Sequence, residues 1–226
     1  MEQAELIAFL SFDIGPVHIG PIVITTWLLM LVLGVFSWLA TRKLSVDKPS
    51  GVQAMLEGAI GSMEQAIQAV APAYGAELLP FIGTLWIYLV AANLAGLIPG
   101  LGSPTAHLSQ TAALALLAFL SVHWYGVKTS GWGYLRHYLA PTPLMLPFHL
   151  LSEISRTIAL AVRLFGNIMS IELAVLLVLL VAGFLAPVPL LLLHIVEALV
   201  QAYIFGMLAL IYIAGALQTQ QLHRKE

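Results

Sequence analysis

The sequence contains no cysteine, which removes disulfides, thiolate catalysis and thiolate metal sites and leaves the redox compartment unreadable. Charge is nearly as scarce. Nine Lys and Arg against eleven Asp and Glu in 226 residues give a net charge of −2 and no basic surface for nucleic acid. No glycine-rich phosphate-binding loop is present, so nucleotide chemistry is not expected from this chain itself. Internal repeats and low-complexity segments are also missing, and no metal or cofactor is expected. The first twenty residues carry Glu2, Glu5 and Asp13 without a basic start or a clean cleavage site. That pattern argues against a signal or transit peptide and for direct insertion into a bacterial-type inner membrane.

What is abundant is apolar surface. At 60% hydrophobic and 9% charged residues, the chain has more than a soluble domain of this size could bury, so lipid is its expected solvent. The expected fold is an all-α membrane protein, one integral membrane domain over residues 1–226. Spans are expected at 21–40, 78–99 and 108–127, followed by a long apolar block at 144–217 that turns near 183–189. Residues 52–70 carry Glu57, Glu64, Gln65 and Gln68 among apolar side chains at helical spacing, which predicts an amphipathic interfacial helix. Arg42, Lys43 and Lys48 follow the first span, Lys128 and Arg136 the third, and Arg224 and Lys225 lie last. By the positive-inside rule the amino terminus lies outside and the carboxyl terminus in the cytoplasm, with five membrane-crossing elements. Residues 144–186 as one helix would be about 64 Å long at about 1.5 Å per residue, against a hydrocarbon core of about 30 Å. Two long, steeply tilted helices forming an antiparallel hairpin are therefore expected.

Within that block stands Arg163, in Arg163-Leu164-Phe165-Gly166-Asn167. A guanidinium stays protonated and costs several kcal/mol at such a depth, so it marks a functional site. At 100° per residue His149, Arg156, Arg163 and Asn167 share one helix face, with Glu153 at its margin and Glu172 nearly opposite Arg163. On the second long helix His194, Gln201 and Tyr212 share a face, with Glu197 beside it. A hairpin centred near Gly183 sets Arg163 level with Gln201 and Glu172 level with His194. Protonatable groups at matched depth trace an ion or proton path, with Glu172 and His194 able to exchange a proton. Glu153, Arg156 and His149 either extend that path toward the cytoplasm or, for Glu153 and Arg156 three residues apart, form a structural ion pair. His149 at the inner boundary reads as structural; His18, His107, His123 and His137 read as solvated groups at loops or span ends. Asn93 and Gly96 read as packing residues, and Trp86, Tyr203 and Phe205 as packing or interface residues. No acid shares the face of Arg163 within one turn, so its anion is expected from another molecule.

These residues resemble subunit a of the rotary F-type ATP synthases. The likeness is carried by Arg163-Leu164-Phe165-Gly166-Asn167, Glu172 nine residues on, His194 with Gln201, Asn93-Leu94-Ala95-Gly96-Leu97-Ile98-Pro99, and Ser103-Pro104-Thr105-Ala106. It covers most of the chain from about Val52 onward. His123-Trp124-Tyr125-Gly126 and Ser152-Glu153-Ile154-Ser155-Arg156-Thr157 are similar to the N-type branch, some of whose members are thought to move sodium. The resemblance implies a stator channel that faces a ring of c subunits, held by b-type stalk subunits within an F1F0 complex whose nucleotide chemistry lies on other subunits. It implies that Arg163 faces the c-ring carboxylate, that Glu172, His194 and Glu197 admit the ion, and that Gln201 and Asn167 hold the guanidinium. His107 stands where family members often carry Asp, and His149 where some carry Glu, which leaves the exit route and the coupling ion open. An independent secondary transporter would instead show inverted repeats with paired broken helices, and no such symmetry is present. A scaffold without transport would explain neither Arg163 nor the matched depths.

Overall fold

The computed structural model describes residues 12–14, 17–42, 44–45, 50–98, 102–130, 146–183 and 185–223. Lys43, Lys48, Pro99, Arg136, His137, Leu144, Arg224 and Lys225, which enter the readings above, lie outside the described residues. Two short strands, β1 (Phe12–Ile14) and β2 (Val17–Ile19), pair antiparallel with Phe12 opposite Ile19. The remaining described elements are helical: α1 (Pro21–Thr41), α2 (Gly51–Val70), α3 (Gly75–Leu94), α4 (Leu108–Ser130), α5 (Leu146–Ala182) and α6 (Val188–His223), with 3₁₀ turns at Ala95–Leu97 and Pro104–Ala106. Five of these helices, all but α2, are long and apolar enough to cross a membrane. The protein is thus an all-α membrane protein, with the small β pair as an addition the composition did not announce.

Along α1 the order of burial is the reverse of a soluble helix's. α1 displays Trp27, Leu31 and Trp38 on its surface, each more than half exposed, while its two buried side chains, Thr25 and Thr26, return their hydroxyls to the carbonyls of Pro21 and Ile22. With lipid as solvent the apolar residues face out and the polar ones turn to backbone. α3 is the central post: Leu78, Ile82, Leu85, Trp86, Leu89 and Ala92 are buried, chiefly against α6, whose Ala198, Ala202, Phe205, Ala209 and Ile213 face back. The small residues on α6 allow close helix approach, and at Gly206 the backbone leaves room for the Trp86 indole, which any Cβ would overlap. Trp86 Nε1 donates to the carbonyl of Tyr203 at 3.2 Å and its ring stacks on Tyr203 at 6.0 Å.

α2 begins at Ser50, whose hydroxyl accepts from the Gln53 amide at 3.2 Å. The Gln53 side chain is buried and reaches back to both backbone groups of Ser45, at 3.1 and 3.0 Å. One glutamine thus ties α2 to Ser45.

α5 and α6 have 37 and 36 residues, about 55 Å each at about 1.5 Å per residue. The reversal between them falls at Gly183, whose φ of +81° is the left-handed conformation of a helix C-cap. Pro187 and Pro189 open α6, where missing amide donors cost nothing. α5 packs on α4 and α6.

Candidate functional site

On α5, Leu160, Ala161, Leu164 and Ile168 form the buried stripe. Ser152, Ser155, Ala159 and Arg163, at steps of three and four residues, and Ser170 two turns further on lie exposed on another face. Arg163 therefore points away from the helix bundle. Among the described residues it has neither a carboxylate within 4 Å nor a hydrogen-bond partner.

One turn along, Asn167 Nδ2 donates to Gln201 Oε1 at 2.7 Å, with Gln201 2% exposed. The two amides expected to hold the guanidinium bond each other instead. Asn167 is half-buried, turned toward α6, whereas Arg163 is exposed; four residues at 100° each set the two about 40° apart, enough to place them on either side of the boundary between the packed and the open face.

A second cluster lies where α3 passes through its 3₁₀ turns to α4. His194 is 3% exposed, and its Nε2 lies 3.1 Å from the carbonyl of Asn93. A carbonyl only accepts, so Nε2 carries the hydrogen and Nδ1 is the nitrogen that takes up or gives a proton. Asn93 is fully buried: its Nδ2 donates to the carbonyl of Ala198 at 3.0 Å and its Oδ1 accepts from Thr105 Oγ1 at 2.7 Å. Ser103 lies 2.7 Å from Thr105, donates to the carbonyl of Ala92 at 2.9 Å, and through its backbone amide donates to Glu172 Oε1 at 3.2 Å. Gly96 backs this carboxylate, because a Cβ there would meet Glu172 Oε1 and Ser103 Cβ. Glu172 and the half-buried Glu197 both stand within Coulombic range of His194. The network runs from α5 through the loop at Ser103 to α3 and α6, every link a hydrogen bond or a charge.

The third cluster sits toward the other end of α5. Glu153 does not pair with Arg156. Its Oε2 faces His123 Nε2 of α4 at 3.5 Å, while the Arg156 guanidinium lies over the Tyr212 ring of α6 at 4.5 Å. His123, expected as a solvated group at a span end, is inside α4 and half-buried, because α4 continues to Ser130 and packs on α5. His149 is exposed on α5, one turn before Glu153. Among the described residues no group of three or more acids or histidines could hold a metal.

Sequence reasoning missed two things here. His123 was missed because span-counting ends a helix where charge returns, at Lys128, whereas a charged last turn also suits a helix C-terminus. Asn93 was read as packing although it shares a bond with each of two flanking segments; its position inside an apolar span was the signal that it must be satisfied by something.

Fold and site together define a polytopic helical membrane protein in which polar groups collect in three clusters along one long helix, whose outward face carries a cation that is unpaired among the described residues. Residues 23–214 match the sequence family described as ATP synthase A chain. The chain is 63% identical over 205 residues to ATP synthase subunit a 1 of Hahella chejuensis, covering 91% of this chain and 87% of that one. It is 54% identical over 223 residues to ATP synthase subunit a of Legionella pneumophila strain Corby, covering 98% and 97%. With ATP synthase subunit a 2 of Pelobacter propionicus it shares 56% over 214 residues, 94% and 93% of the two chains. The chain belongs to the ATP synthase A chain family.

Proposed function

We propose that this chain is the stator ion channel of a rotary F-type ATP synthase, carrying protons to and from the carboxylates of a c-subunit ring and so coupling the gradient to rotation. The observation that carries the reading is Arg163, exposed on the outward face of α5 and without an acid partner among the described residues. A permanent cation in hydrocarbon is tolerable only beside an anion, and the fitting partner is a carboxylate on a neighbouring molecule. Such a pair at about 4 Å is worth about 4 kcal/mol at an effective dielectric of about 20, enough to hold a deprotonated ring carboxylate and to repel a passing cation. Glu172, His194 and Glu197 serve the outer half-channel, with the Asn93, Ser103 and Thr105 network holding them in place. Glu153, Arg156 and His149 belong to the cytoplasmic half. The Asn167–Gln201 bond keeps α5 and α6 in register beside Arg163. The amino terminus lies outside and the carboxyl terminus in the cytoplasm of a bacterial inner membrane, as the Lys and Arg of the loops favour. Partners are the c ring, b-type stalk subunits and the remaining F1F0 subunits, which carry the nucleotide chemistry.

Moving one charge through about 100 mV supplies about 2.3 kcal/mol, so rotation must sum several ions for each ATP. The deciding experiment reconstitutes the whole complex in liposomes and follows ATP-driven proton uptake, with and without sodium, for the native chain and Arg163→Ala. Uptake without sodium that vanishes in the variant is expected. Unaltered pumping by Arg163→Ala would refute the role given to Arg163, and uptake that requires sodium would overturn the assignment of the proton as coupling ion.

A further inference from the structure

His123, which faces Glu153 of the cytoplasmic group, has no role in the two groups of residues assigned above. His123 Nδ1 lies 3.0 Å from the carbonyl of Phe119, one turn back on α4. That carbonyl fixes Nδ1 as the donor, leaving Nε2 as the nitrogen that gains and loses a proton, and Nε2 is the atom that faces Glu153 at 3.5 Å. The Glu153 side chain is 15% exposed and that of His123 32%, so Glu153 is the more buried member of the pair.

On its buried side Glu153 lines a cavity of about 20 Å³ together with Arg156, Thr157, Tyr212, Ala115 and Ala118. That volume holds one water molecule. Two alanines of α4 make the space, and Thr157, whose hydroxyl donates to the Glu153 carbonyl at 2.9 Å, closes one wall. The other charged or titratable groups nearby are engaged: Arg156 over Tyr212, and Lys128 with Glu77 of α3 at 2.7 Å, beside Tyr125, whose hydroxyl is directed at the Glu77 carbonyl. His149 lies one turn before Glu153 on α5. From Arg156 to Arg163 is seven residues, about 10 Å of helix at about 1.5 Å per residue.

We infer that His123 and Glu153 form a proton-loading pair at the cytoplasmic mouth of the channel, which collects a proton from bulk water and delivers it through the one-water cavity toward Arg163. In this step the imidazolium Nε2–H bond breaks and a Glu153 O–H bond forms, leaving neutral imidazole and carboxylic acid. The acid then gives its proton to the cavity water, and the imidazole is reprotonated from the cytoplasmic side; no electrons are exchanged. The same geometry disfavours sodium, because a cation would sit beside the Arg156 guanidinium in room for a single water with one carboxylate on the wall. The inference rests on the stator-channel reading.

The test uses the complete complex in inverted vesicles, so that the cytoplasmic face is outside, with a lumenal pH dye reporting ATP-driven uptake. In His123→Gln the rate is expected to fall about tenfold at about pH 8 outside and at most about twofold near pH 6, because a collector matters only where protons are scarce. Varying lumenal pH should leave the ratio of variant to native unchanged. His123→Ala should regain rate on addition of imidazole. An equal loss at every pH, or a change that tracks lumenal pH, overturns the inference and makes the pair structural or misplaced. Should neither variant assemble, proton conductance of the native complex stripped of its nucleotide-binding part still decides. One inflection with cytoplasmic-side pH supports the pair, and a flat profile overturns it. Arg163→Ala, run in parallel, separates the two readings: if it abolishes pumping while His123→Gln behaves as native, only the loading pair falls.

Discussion

Gly206→Ala should destabilise the contact between α3 and α6 far more than its single methyl suggests. The new Cβ would overlap Nε1, Cδ1 and Cε2 of the Trp86 indole, which is 4% exposed and has no room to withdraw. Overpacking of this kind costs about 1–3 kcal/mol, and displacing the ring breaks the 3.2 Å bond from Trp86 Nε1 to the Tyr203 carbonyl, about 1 kcal/mol more. Against this, alanine gains about 1 kcal/mol over glycine in a helix interior. The net expectation is a loss of about 1–3 kcal/mol. Trp86→Ala alone should cost about 3–5 kcal/mol by leaving a cavity. With the ring gone the Gly206 methyl enters empty space, so the double variant should be no less stable than Trp86→Ala, and the cycle should return a coupling of at least about 1 kcal/mol. The assay is unfolding of the purified complex in increasing denaturing detergent, read by release of this chain. Costs that add within about 0.5 kcal/mol would refute the steric argument.

Two further outcomes follow from the same coordinates. Gly96→Ala pushes a methyl against Glu172 Oε1 and Ser103 Cβ, so the carboxylate must swing off the Ser103 amide; proton pumping should fall several-fold while Gly96→Ala complexes still assemble, and pumping at the native rate would show that the Ser103 bond is dispensable. Asn167→Ala and Gln201→Ala, examined by detergent unfolding as a cycle, should couple by about 0.6–1.7 kcal/mol, the range for hydrogen bonds between membrane helices; no coupling would mean that lipid or water replaces the bond without loss.

Much of the architecture was legible because lipid imposes simple rules. Long apolar runs name the spans, and the turn at Gly183 announces itself through a glycine followed by two prolines. Depth matching in the hairpin brought positions 167 and 201 into contact range, one turn from the pairing of Arg163 with Gln201 that symmetry about Gly183 suggested. What periodicity could not supply was the third coordinate. A helical wheel places Arg163 and Asn167 on one broad face, but whether each points at α6 or away depends on how α5 is rotated against its neighbours, and that is settled by packing at Leu160, Leu164 and Ile168. The contact of His123 with Glu153 was equally hidden, since it joins residues of two helices separated by thirty positions. The 3₁₀ turns that carry Ser103 and Thr105 to Asn93 have no periodic signature at all.

The distribution of polarity along α5 bears on why translocation would need a rotor. Glu153 and Glu172 lie ten and nine residues from Arg163, about 15 and 14 Å of helix at about 1.5 Å per residue, on opposite sides of it along α5. Between them the inward face of α5 is Leu160, Ala161, Leu164 and Ile168, at 3, 6, 0 and 0% exposure. A continuous pore through the bundle would have to replace these with polar or open lining, because an unsolvated ion among buried aliphatic side chains costs far more than the membrane potential supplies. Asn167 and Gln201 lie in this stretch, but each is occupied with the other. The available connection is sideways, around the apolar stripe and past the outward guanidinium, by a carrier that takes the proton as a neutral acid from one cluster to the other. A neutralised carboxylate crosses hydrocarbon at little cost, and on reaching Arg163 it is held again as an anion. If that is the logic, substituting Leu164 with Asn should open a leak that bypasses ATP: passive proton conductance of the complex should rise while ATP-driven accumulation falls. An unchanged passive conductance with normal pumping would show that the buried stripe is not the barrier.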